Sequence, residues 1–428
     1  MAIDPEELQR RREQRRQYQA AKRRRLWIRL GIAALVLVLC AVLIFVLLPK
    51  LSAPQQDNSV AVSTQPSEQF NQTEETAEAT EPPASTTIHL ALAGDVNVTD
   101  KVVNAGGPEY NYTTVFMDVA HIMAEADLSL VNFEGNLCGA PYGSNTVSAP
   151  QQLVEALASI GVDAMQLANS YSISKGLSGL FTTINNVRAA GMEPLGVFAD
   201  QAAYKKDKGY TIQTVQGIKI AFVAFTKGMD GMALPPGNED CVNILYSDYE
   251  STYQDVNTEK ITTVLDAVAQ EKPDITIAML HWGSEYNDTI SSSQESIVSL
   301  MLDRGVDAII GTHPHYVQKM VYDEDDGTFI AYSLGDFLGD AEKSGTQYSV
   351  ILDLEITKDN RTGNAKVSGY SYTPIYTVTE NRTELRIVRI HEAMAAYEDS
   401  FIGSVPEEAY NDMSYALSRI EDRISGAG

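Results

Sequence analysis

The segment Gly311-Thr312-His313-Pro314-His315 sets two imidazoles two residues apart, directly after the apolar run Val306-Asp307-Ala308-Ile309-Ile310. A third imidazole, His281, follows the run Ile275-Thr276-Ile277-Ala278-Met279-Leu280. The chain has only six histidines, so three of them at the ends of strand-like runs mark where chemistry is expected. Imidazole is the commonest metal ligand and the side chain best matched to proton transfer near neutral pH. Alternating along an extended strand, His313 and His315 would face one side, a poor arrangement for a core unless something binds them.

Three further apolar runs end in polar residues: Asp95, Glu134 together with Asn132, and Asn169 with Ser170. Singly, each has an ordinary reading. Gly94-Asp95 suits a turn, Asn132 and Glu134 suit a cap, and His281 suits a satisfied core histidine. Together they gain weight, because in open α/β sheets the carboxyl ends of strands converge on the ligand crevice. Carboxylate oxygen with imidazole nitrogen suits Mn, Fe or Zn better than Ca, which prefers all-oxygen shells. One or two such divalent ions could clamp a phosphoryl group and generate hydroxide at neutral pH. His89, His121 and His391 have no polar company in the sequence and are read as structural.

The elements that must position these residues alternate. Strand-like runs at 86–93, 127–131, 161–167, 193–198, 275–280, 306–310, 328–333 and 348–356 are interleaved with helical stretches at 177–190, 258–272 and 294–304. Tyr210 to Thr214 and Ile218 to Phe225 flank Gln216-Gly217, which reads as a hairpin. The alternation predicts an α/β architecture with mixed sheets. From Glu384 to Ile424 the pattern reads as largely helical and peripheral. The expected organisation is a basic cytoplasmic segment (1–29), a transmembrane anchor (30–48), a Ser/Thr/Glu/Pro-rich linker (49–85), a folded domain (86–380) and a helical extension (381–428).

The formal charge of −25 is unevenly placed. Met1 to Leu30 holds ten Lys/Arg against four Asp/Glu, a local +6, which leaves −31 on the rest. So acidic a surface argues against nucleic acid, which needs clustered Lys and Arg, and it repels polyanions at long range. The nineteen residues from Leu30 to Leu48 carry no charge and would reach about 28 Å as a helix, close to a bilayer core. The basic flank puts the N-terminus inside and the bulk of the chain outside the cell membrane. Cys40 falls in that span, and an oxidising exterior would permit Cys138 and Cys241 to pair.

At the polar strand ends the chain resembles the capsule-synthesis CapA type of poly-γ-glutamate proteins, which have a calcineurin-like metallophosphatase fold. The matching blocks are Ala93-Gly94-Asp95-Val96, Asn132-Phe133-Glu134, His281-Trp282-Gly283-Ser284-Glu285-Tyr286, Gly311 to His315 with Gln318, and Tyr332-Ser333-Leu334-Gly335-Asp336-Phe337. The resemblance covers roughly Thr87 to Tyr372. It implies a metallophosphatase-like β-sandwich flanked by helices, with Asp95, Glu134, His281, His313 and His315 as ligands of one or two metal ions. Asn169 and Tyr171 would orient the substrate. Two blocks depart from the family pattern. The usual Asn-Asn-His reads Asn169-Ser170-Tyr171, which removes an amide ligand and an imidazole, and the usual Asn of the last block is Asp336. Two functions follow as expectations. One is a surface metallophosphatase-like hydrolase of capsule or wall polymer. The other is a non-catalytic component of a capsule-synthesis membrane complex, binding an anionic polymer through a degraded site.

Overall fold

The computed structural model describes residues 83–380, 384–401 and 403–426. The expected cytoplasmic segment, the membrane anchor and residues 49–82 of the linker lie outside the described residues. Among the described residues, no helix is long and apolar enough to cross a membrane.

Two sheets carry the fold. The strands are β1 (Ser85–Asn97), β2 (Leu128–Glu134), β3 (Ala164–Gln166), β4 (Glu193–Leu195), β5 (Tyr210–Val215), β6 (Ile218–Thr226) and β7 (Ile275–His281). They continue with β8 (Ala308–Thr312), β9 (Met320–Asp323), β10 (Thr328–Ala331), β11 (Asp336–Leu338), β12 (Tyr348–Asp359), β13 (Ala365–Glu380) and β14 (Glu384–Arg389). One sheet runs β14-β13-β12-β1-β2-β3-β4, with β11 pairing the end of β1; the other runs β5-β6-β7-β8-β10-β9. Both are mixed. β1 is parallel to β2 and antiparallel to β12, while β6 is parallel to β7 and antiparallel to β5. In the β5–β6 hairpin, Gln216 and Gly217 both have positive φ, 48° and 85°, the pattern of a two-residue turn whose twist matches the strands.

Side-chain alternation builds the layers. On β1, Ile88, Leu90 and Leu92 face Ile220 and Phe222 of β6 and Ile277 and Met279 of β7 in one buried cluster between the sheets. The intervening Ala91 and Ala93 face the opposite way, with Leu153 and Leu157 of the helix Gln151–Ser159. On β6, Ala221, Val223 and Phe225 pack outward against Ile261, Val264 and Leu265 of the helix Thr258–Glu271. The result is a two-sheet sandwich with helices on both outer faces.

The C-terminal region differs from the helical reading. Glu384–Arg389 is a strand paired antiparallel to β13, with Leu385, Ile387 and Val388 buried. A sheet edge takes this short segment, and helix begins only at Ile390. The last helix, Glu407–Ser425, is no loose cap. Ala409, Met413, Ala416, Ile420 and Ile424, spaced three and four apart, join the cluster between the sheets. Cys138 and Cys241 are both free thiols, the second fully buried.

Candidate metal centre

The carboxyl ends of β1, β2, β7 and β8 meet at one buried polar cluster. Parallel register sets Asp95 of β1 opposite Asn132 of β2 and Asp336 of β11, and sets Asn97 opposite Glu134. The strands approach closely: the Asp95 N–H donates to Gly335 O at 3.0 Å, and a Cβ on Gly94 would lie 1.7 Å from that oxygen. Only glycine fits at position 94.

Asp95, Asn132, Glu134, Asn169, His281, His313, His315 and Asp336 are all buried. Asn132 Nδ2 donates to Asp95 Oδ1 at 2.6 Å and to Glu134 Oε1 at 3.2 Å, bracing the two carboxylates. Asn169 Nδ2 donates to Asn132 Oδ1 at 3.2 Å and to Phe133 O at 2.7 Å, while its Oδ1 accepts the Tyr171 N–H at 3.0 Å. Every polar atom of the Asn169 amide is thereby engaged, so its visible work is to hold Asn132. Half-buried Tyr171 lies near Glu134, Glu285 and Asp230; burial first, then those charges, push its phenol well above the usual range, so it stays protonated and can donate only a hydrogen bond.

His313 and His315 reach the cluster by a different route from strand alternation. β8 ends at Thr312, and both histidines have positive φ, 92° and 58°. The intervening Pro314 cannot continue a ladder, and the left-handed backbone turns both rings inward at a cost of about 1–2 kcal/mol each. The His313 N–H is caught by Asp95 Oδ2 at 3.1 Å, which anchors the bend. His315 Nδ1 lies 2.8 Å from Asp336 Oδ1 and 3.5 Å from Asp95 Oδ2. Two sets of ligand atoms lie within 4.8 Å of one another: Glu134, His313 and His315, and Asp95, His315 and Asp336.

Three features of this cluster fit a divalent cation. First, the Thr226 hydroxyl donates to Gly228 O at 2.8 Å, so toward His281 Nδ1, 3.2 Å away, it acts as acceptor. His281 therefore carries its proton on Nδ1, and the Nε2 lone pair faces Glu134 Oε1 at 2.8 Å. Two lone pairs that close need a proton or a metal between them. Second, His313 Nδ1 is buried with no hydrogen-bond partner. Third, burial and neighbouring carboxylates raise Asp95 and Glu134 to about 7, as expected of buried carboxylates short of a cation, while burial lowers His281 to about 3 and keeps its ring neutral, the form that ligates a metal. His315, beside Asp336, is held well above the usual imidazole range despite its burial.

The five expected ligands come together, and Asp336 joins them. Strand-end reasoning missed Thr226 and Lys227, although they follow the apolar run of β6 as His281 follows β7. Lys227 Nζ donates to Gly283 O at 2.8 Å, lies 3.4 Å from His313 Nε2 and sits 4.5 Å over the ring of Tyr253. It lines a cleft of about 260 Å³ with Ser170, Asp230, Tyr253, Glu285 and His313.

Comparison with known proteins agrees with the blocks read from the sequence. The family model for bacterial capsule synthesis protein PGA_cap matches residues 89–341, more than half the chain and a span that holds the whole cluster. A capsule biosynthesis protein CapA of Bacillus anthracis is 27% identical over 291 residues, covering 64% of this chain and 65% of that protein. The chain thus spans just under two thirds of that relative's length. A PGA biosynthesis protein CapA of Bacillus subtilis (strain 168) is 26% identical over 297 residues, covering 66% of this chain and 70% of that one. Among solved structures, a putative 5′-nucleotidase from Staphylococcus aureus gives a TM-score of 0.44 at 13% identity, covering 78% of this chain and 58% of that chain. A phosphatase from Mycoplasma pneumoniae gives 0.41 at 14% identity, covering 68% and 94%.

Proposed function

Since this chain belongs to the PGA_cap family of bacterial capsule synthesis proteins, we propose that it serves in making or exporting an anionic capsule polymer of the poly-γ-glutamate type. In this reading residues 30–48 anchor it in the cell membrane and the folded domain works outside, as part of a capsule-synthesis membrane complex. Its working part is a divalent-metal site of metallophosphatase type, held by Asp95, Glu134, His281, His313, His315 and Asp336.

The observation that carries this reading is the convergence of three imidazoles and three carboxylates, all buried, at one polar cluster. A bound divalent ion would supply Lewis acidity and a lowered pKa for water. This chain's own residues do the rest. Asn132 and Asn169 fix the carboxylates, Thr226 fixes the His281 tautomer, and Asp336 orients His315. Tyr171 keeps the proton on its phenol oxygen at the edge of the cluster and can donate a hydrogen bond to a substrate oxygen.

A second reading, a non-catalytic polymer-binding or scaffold component, is favoured by Ser170 and Tyr171. A serine hydroxyl is a weak neutral ligand, and a phenol cannot carry the positive charge of an imidazolium. Hydrolysis of a generic phosphoester by the metal-loaded chain, with and without Ser170→Asn plus Tyr171→His, separates the two. Turnover that rises in the double variant supports a metallophosphatase-type site. A double variant that binds metal and stays inert rules out phosphatase chemistry and leaves the scaffold reading.

A further inference from the structure

The cleft beside the metal cluster has an uneven charge layout. Its inner wall is Lys227, Ser170 and His313, all partly or fully buried; its rim carries the exposed Asp230, Ser284 and Glu285. The ammonium of Lys227 touches a carbonyl, an imidazole and an aromatic face. None of these neutralises it. An inner lysine with no carboxylate hydrogen-bonded to it among the described residues, below a rim of two carboxylates, suits neither the interior of a polyanion nor a simple cation. The rim would repel the first, and the inner lysine the second.

We propose that this cleft binds the amino-terminal residue of a peptide-like chain, with its α-carboxylate on Lys227 and its α-ammonium at Asp230 and Glu285. The proposal deepens the capsule-polymer reading and rests on it: a γ-linked polyglutamate keeps a free α-carboxylate on every residue but has one free α-amine, at its amino end. Ser170 stands in the wall where the family pattern has an asparagine. Its small hydroxyl leaves room beside Lys227 and offers a hydrogen bond to the same carboxylate. His313 belongs both to the metal cluster and to the cleft wall. A terminus seated on Lys227 is therefore held next to the metal centre, and the polymer end is distinguished from its interior by the rim.

The test is calorimetric titration of the full chain, purified in detergent, with γ-glutamyl-glutamate, its N-acetylated form, glutarate and inorganic phosphate. The free dipeptide is expected to bind about tenfold tighter than the acetylated one, the loss of one charge-assisted contact. Lys227→Met is expected to weaken the dipeptide by about tenfold or more. Asp230→Asn with Glu285→Gln, changes at exposed positions that leave the core untouched, should erase the preference for the free amine. Equal binding of the free and acetylated dipeptides overturns the proposal, as does dipeptide binding indifferent to both variants, or no binding of the dipeptide. Phosphate bound in preference to the dipeptide overturns it too and marks a plain anion site. Metal content measured on the same samples judges the metal reading separately, so a failed terminus and a failed metal centre give different results.

Discussion

Metal binding to this cluster must expel protons, and their number follows from the structure. Burial, then mutual repulsion, raises Asp95 to about 7, and burial raises Glu134 to about 7. His315, between Asp336 and Asp95, keeps its proton well above the usual range. A divalent ion takes carboxylates and imidazoles only in their deprotonated forms. The sign is therefore fixed: affinity rises with pH. A carboxyl group with pKa near 7 is roughly nine-tenths protonated at pH 6 and one-tenth at pH 8, so each contributes about tenfold across that interval. The two together give about hundredfold, or ~2.7 kcal/mol, and His315 adds to it. Titration with Mn²⁺ in buffers of different ionisation enthalpy should show about two or more protons released at pH 6 and fewer at pH 8. The same raised values give the metal-free chain a stability term that is full below the unfolded carboxylate range near 4 and is lost as pH rises through about 7. An affinity flat within threefold from pH 6 to 8, or release of less than one proton at pH 6, refutes the reasoning.

Three substitutions probe the supports of the cluster. Thr226→Val keeps the shape but removes the acceptor for His281 Nδ1–H; metal affinity by the same titration should fall about 10–100-fold with little change in melting temperature. Gly94→Ala drives a methyl into Gly335 O, and denaturant unfolding should show a loss of about 3 kcal/mol or more together with weakened metal retention. Arg423→Met removes a buried guanidinium that lies 4.4 Å from the Tyr316 ring and 3.5 Å from Asp288. Unfolding should register about 1–2 kcal/mol, and metal dissociation should quicken because Tyr316 adjoins His315.

The sheet order was hidden in the sequence, but the strand ends were not. Apolar runs stopping at Asp95, Glu134, His281 and His313 were legible because strands of a parallel sheet are apolar almost throughout, so the first polar residue stands out. The backbone of the His313 loop was not legible. Strand alternation and two left-handed residues around Pro314 both bring the rings to one side, and sequence does not separate them. Lys227 escaped notice because the same rule was asked only for residues that ligate metal. The strand Glu384–Arg389 escaped because Arg386 and Arg389 sit among its apolar residues and the charge read as helical surface. What fixes it is the long edge of β13, a tertiary partner that no local pattern shows.

The most direct measurement is elemental analysis of the purified full chain after loading with Mn, Fe or Zn, beside His313→Ala with His315→Ala. The unaltered chain should hold at least one equivalent of divalent metal and the double variant none, with both folded by circular dichroism. A folded, unaltered chain that takes up no metal, or a double variant that holds as much as the parent, contradicts the metal reading.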